Sequence, residues 1–117
     1  MTTRLLRVWL VLGLLVAACG GDSTATDDGA RLAIDLGCTS CHTRSGSAAA
    51  PSWVGLHDST ITLDDGSEVV ADRDYIRQSI LEPSARIREG YFATMPKFEV
   101  SNEQVDALVE HIVGLAD

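Results

Sequence analysis

The sequence predicts a small, mainly α-helical domain of three or more helices with a short β-hairpin inserted among them. Three patterns carry that prediction. Val105, Leu108, Val109, Ile112 and Leu115 recur at helical spacing behind Ser101 and Gln104, which have the spacing of a capping box. Leu32 and Leu36 lie four apart ahead of Gly37, and a second run from Arg73 to Leu81 sits between Asp72 and Pro83. Between these helices, Ile61 and Leu63 alternate with polar residues and lead into Asp65-Gly66 and then Val69-Val70, the pattern of a tight hairpin.

Taken in order, the chain opens with an export signal. Arg4 and Arg7 precede an uncharged, apolar run from Val8 to Ala18. That is the layout of a secretory signal, and the run is too short for a bilayer, which asks for about 20 apolar residues. The run ends in "VAAC", which resembles the lipobox of bacterial lipoproteins; the resemblance implies that residues 1–18 are removed and that Cys19 is acylated. The other reading of Cys19 is an unpaired thiol, or half of an intermolecular disulfide, behind an ordinary signal. Residues 19–28 then read as the lipidated cysteine and a polar, flexible linker with a reach of about 15–18 Å, and residues 29–117 as one domain.

Within the domain, Asp27 or Asp28 is placed to cap a short helix that carries Leu32 and Leu36 and stops at Gly37. "PSWVGL" (51–56) is a loop with apolar side chains that need burial. The hairpin over 60–70 follows, then a helix from about Arg73 to Leu81 that Asp72 caps and Pro83 closes. Residues 84–100 show neither helical nor strand period and form a long loop, a feature often functional in small domains. Ser101 starts the last helix.

Beyond residue 18 the chain has 7 basic and 17 acidic residues. Such a surface argues against nucleic acid and anionic lipid as partners. Its aromatic rings other than histidine are only Trp53, Tyr75, Tyr91, Phe92 and Phe98. A domain this short and this thin in large side chains commonly relies on a disulfide, metal or cofactor to complete its interior.

The sharpest motif is "GCTSCH" (37–42). Two cysteines three apart with histidine immediately after is the attachment signature of a c-type haem. One tight turn presents both sulfurs to the two vinyl groups and turns the next imidazole toward the iron. A zinc site wants four ligands, and no second cysteine pair exists. A thioredoxin-like motif wants a βαβ setting, which the pattern lacks. For the other axial position Met95 is the candidate: it is the only methionine after residue 18 and lies before Pro96 in the irregular loop. His57 and His111 compete, but His57 is close in sequence to His42, and His111 falls in the middle of the last helix.

Together, "GCTSCH", "APSWVGL", the hairpin around "DDGS", "YIRQSILEP", "REGYFATMP" and "VSNEQVDALVEHI" resemble class I cytochromes c. The likeness covers residues 29–117 and is nearest to the cytochrome c domain fused to subunit II of some terminal oxidases. It implies a class I cytochrome c fold around one covalent haem c, held by Cys38 and Cys41 with His42 and Met95 as axial ligands. It also implies that the Pro51 carbonyl receives a hydrogen bond from His42 and that Trp53 and Tyr91 line the pocket. Ala33 stands where the family often has an aromatic residue and His111 where it often has tyrosine, both at the contact of the terminal helices. No transmembrane hairpin or copper-binding domain precedes the haem domain, so the resemblance is to that domain and not to the oxidase subunit.

The function expected is an electron-transfer cytochrome tethered to a membrane by its lipid, exported to the outer face of the cytoplasmic membrane or to the periplasmic face of the outer membrane. Its expected partners are redox proteins of a respiratory chain, such as a terminal oxidase or a quinol-oxidising complex. The competing reading is a haem peroxidase or gas-binding sensor in which Met95 leaves the iron readily, and a weaker one is a zinc or disulfide redox lipoprotein without haem.

Overall fold

A computed structural model describes residues 23–92 and 95–116. The expected signal (1–18) and Cys19 lie outside the described residues. Three helices, α1 (Ser23–Asp35), α2 (Arg73–Leu81) and α3 (Asn102–Val113), enclose a core to which a two-stranded antiparallel hairpin, β1 (Thr60–Thr62) and β2 (Glu68–Val70), is added. The fold is mainly helical with a hairpin insertion, as the patterning predicts.

The first helix departs from the sequence reading at its start. Residues 23–28, expected as linker with Asp27 or Asp28 as a cap, form the opening turns of α1. Serine, threonine and aspartate are poor helix formers, and Gly29 costs about 1 kcal/mol against alanine in a helix interior. Tertiary packing overrides these preferences. A Cβ placed on Gly29 would lie 2.0 Å from the Ala107 carbonyl oxygen and 2.8 Å from the His111 Cβ. Only glycine lets α1 approach α3 this closely. One turn further along α1, Ala33 is fully buried against the same helix, so its small side chain suits the close crossing. The helix ends at Gly37, whose φ of 76° is the left-handed conformation that favours glycine.

The hairpin register pairs Thr60 with Val70, Ile61 with Val69 and Thr62 with Glu68. This buries Ile61 and Leu63 and leaves the Asp64–Ser67 turn exposed. The long loop that follows α2 adds a third segment to this small sheet. Leu63 bridges to Arg88, Asp64 donates its N–H to Ile87, and Glu89 donates to Thr62, the last two at 2.9 Å. Residues 84–100 otherwise hold no helix or strand among those described.

Both remaining helices start where their caps place them. The Asp72 carboxylate accepts from the Tyr75 N–H at 2.8 Å. Ser101 and Gln104 form the reciprocal capping box, each side chain bonded to the other's backbone N–H. Ion pairs join the two helices on the solvent side, Arg73 to Glu110 and Arg77 to Asp106, with Arg77 also donating to Asn102 at 3.0 Å. Beneath them Ile76 and Ile80 of α2 meet Val105, Leu108 and Ile112 of α3 in the core.

Candidate functional site

Cys38 opens a single 3-10 turn (Cys38–Ser40) directly after Gly37. The Cys38 carbonyl accepts from the N–H of Cys41 at 3.2 Å and of His42 at 2.9 Å. These two bonds fold the motif back on itself, so both thiols and the imidazole leave one tight turn. Neither cysteine is in a disulfide; Cys38 is half-buried and Cys41 exposed. Burial pushes the Cys38 thiol above its ordinary value, against a smaller lowering by a backbone hydrogen bond.

The ring of His42 is fixed from two sides. Its Nδ1 lies 2.8 Å from the Pro51 carbonyl oxygen. A carbonyl only accepts, so Nδ1 carries the proton and Nε2 keeps its lone pair. On its face, the Trp53 ring stacks at 4.6 Å with an interplanar angle of 20°. Burial holds the imidazole below its ordinary value, outweighing the opposing effect of the Pro51 hydrogen bond. Both effects leave a neutral, oriented imidazole with one free nitrogen, the form that binds a metal.

Beside this turn lies a narrow apolar crevice with a cavity volume of about 10 Å³. Leu36, Cys38 and Trp53 line it together with Ile80 of α2, Leu108 and Ile112 of α3, and Met95, Phe98 and Val100 of the long loop. Every lining side chain is apolar or bears sulfur. Met95 also borders an open groove beside it, which it shares with Pro83, Glu82 and Lys97. Segments far apart in sequence thus bring Cys38 and Met95 to one space; Cys41 and His42 are not among its lining residues, and His42 meets it only through the stacked Trp53 ring.

The donor set fits a haem. A flat apolar macrocycle suits a crevice with no polar side chain, two free thiols stand at i and i+3, and the neutral nitrogen of His42 and the thioether of Met95 are the ligand types of a low-spin iron. Among the described residues no cluster of three or more histidine, cysteine or carboxylate side chains could hold a metal ion instead.

The other sequence candidates separate. Tyr91 is half-buried but is not among the residues lining the crevice. His57 lies 3.4 Å from Asp58, away from the crevice lining. His111 is half-buried, and burial alone lowers its imidazole from the ordinary value. It meets Trp53 edge to face at 6.2 Å, so His42, Trp53 and His111 form a row of rings running from the motif to the helix crossing. Sequence reasoning missed Leu36, Ile80, Phe98, Val100, Leu108 and Ile112 as lining residues. Only the apolar periodicity of the helices and an apolar character within the long loop signalled them.

The family model described as Cytochrome c matches residues 26–116. No curated protein matches the chain.

Proposed function

Because the chain belongs to the cytochrome c family, and is therefore a haem-based electron-transfer cytochrome, we propose that it is a membrane-tethered carrier in a respiratory chain, holding one haem c. Members of the family typically carry electrons. When bound, the group supplies an iron that is reduced and reoxidised by one electron. The observation that carries the reading is the convergence of Cys38 and Met95 on one apolar crevice beside the Pro51-anchored His42.

Each residue has a task in that reading. Cys38 and Cys41 would form the two thioether bonds, which make the attachment permanent. His42 would bind through Nε2, with its ring held in place by the hydrogen bond to the Pro51 carbonyl. Met95 would supply a thioether ligand; a thioether donor and an apolar crevice both favour the reduced iron and raise the potential. Leu36, Ile80 and Leu108 keep water out. Held by His42 and Met95, the group would exchange electrons without binding a substrate.

The tether rests on the sequence alone. The "VAAC" stretch makes Cys19 the acylation site, and a lipid there would hold the carrier at a membrane face outside the cytoplasm, near terminal oxidases or quinol-oxidising complexes. Replacing Cys19 with serine should release the protein from membranes with its haem spectrum unchanged. A variant that stays membrane-bound would contradict lipid anchoring.

A further inference from the structure

Met95 lies in the connection from Leu81, where α2 ends, to Asn102, where α3 begins. A connection of that length is a loose mount for a side chain that has to stay at one point, because the entropy of closing a loop grows with its length. Two sets of contacts pin it partway. The first is the hairpin: the Ile87 carbonyl accepts from the Asp64 N–H and the Thr62 carbonyl accepts from the Glu89 N–H, each at 2.9 Å, with Leu63 bridged to Arg88 between them. The second is a ring. The guanidinium carbon of Arg86 lies 4.9 Å from the centroid of Tyr75, a buried residue of α2, within cation–π range. Arg86, Arg88 and Glu89 are not members of the hydrophobic core, so these contacts are not a by-product of filling it.

Directly after the pinned stretch the chain turns toward Met95. The Tyr91 N–H donates to the Arg88 carbonyl at 3.1 Å, and Gly90 has a φ of 83° while Glu89 has no positive φ, which together make a type II turn. At the far end Val100 packs against the core and Ser101 is fixed by its capping box. We propose that the hairpin and the Arg86–Tyr75 contact are a positioning device for Met95: by holding residues 86–89 they shorten the free span around it from 82–99 to 92–99 and so keep its thioether on the iron. The inference rests on the reading of Met95 as an iron ligand. From the logarithmic dependence of closure entropy on length, the shorter span should make loss of Met95 from the iron about threefold rarer.

Cyanide binding to the ferric holoprotein measures that loss, since at low cyanide the second-order rate constant is proportional to the fraction of molecules with Met95 off the iron. Proline suits the second position of a type II turn, so Glu89→Pro removes the N–H that bonds to Thr62 and leaves the turn itself acceptable. Combined with Arg86→Gln, which removes the cation, it should raise the rate constant about threefold. Arg86→Gln alone alters a half-buried side chain outside the core and should raise it by less, whereas Arg86→Lys keeps a cation for the ring and should lie nearer the wild type. Arg73→Gln breaks the ion pair to Glu110 between α2 and α3, which holds neither hairpin nor loop, and should change the rate constant by less than about 1.5-fold. Unchanged rates in the double variant and in Arg86→Gln, with the wild type far slower than Met95→Ala, would overturn the tether and leave the ligand reading in place. An equal rise in Arg73→Gln would also overturn it, because general loosening would then account for the effect. A wild type as fast as Met95→Ala, or a chain without haem, would overturn both readings.

Discussion

The α1–α3 crossing and the crevice share one helix, α3, and are finished in opposite ways. At the crossing, protein atoms close the space completely: Gly29 lies so near Ala107 that no Cβ fits, and Ala33 and Val105 are fully buried. Along the next face of α3, Leu108 and Ile112 line a narrow apolar crevice together with two sulfur-bearing side chains, Cys38 and Met95. Small residues bring helices together where nothing is to be inserted, and larger apolar residues form walls where something is. The crossing is a structural device and the crevice a receptacle, and perturbing them should separate stability from redox chemistry.

Breaking the crossing should have the largest effect on folding. Gly29→Val forces a side chain into the Ala107 backbone and should cost about 3 kcal/mol or more, a fall in Tm of at least about 12 °C. Thermal unfolding of the holoprotein measures it, and the potential of the folded fraction should stay near the wild-type value. A variant of unchanged Tm would mean that α1 does not cross α3 at this point.

Met95→Ala probes the other region. The ferric protein should lose the weak far-red band of methionine-ligated haem, its potential should drop, and the ferrous iron should bind carbon monoxide readily. Cys38, Cys41 and His42 still hold the group, so folding should survive. His57→Ala and His111→Ala should keep the band. Rapid carbon monoxide binding by the wild type would instead support a sensor or peroxidase with an open position.

The smallest effect concerns the ring that joins the two regions. Burial depresses the His111 imidazole, so its folded-state value lies below the unfolded one near about 6.5. The neutral ring therefore stabilises the fold above that pH, and the contribution is lost as pH falls through the folded value. His111 is only half-buried, so the gain is small. Between pH 7.5 and 5.5 the wild type should lose about 2 °C or less of Tm relative to His111→Phe. A relative gain on acidification would reverse the sign and refute the assignment.

What the sequence made legible follows the range of the interactions. The hairpin, both helix caps and the left-handed Gly37 depend on neighbours within a few residues, and each lies where its pattern places it. The cysteine motif is readable for the same reason, because one turn contains it. Gly29 and the start of α1 were not legible: the sequence there is polar and glycine-containing, and its helix is set by contacts with residues almost 80 positions away. The crevice walls were legible only in part. Trp53 and Met95 stood out as residue types, whereas Ile80, Phe98 and Leu108 differ in nothing from ordinary core residues until the fold brings them together.

The most direct test of the central claim is the mass of the chain after acid-acetone extraction, on protein exported from a host with working cytochrome c maturation. One haem retained on the polypeptide through Cys38 and Cys41, with a low-spin visible spectrum before extraction, is the predicted result. A chain of bare polypeptide mass, or one with Cys38 and Cys41 joined in a disulfide, would contradict it.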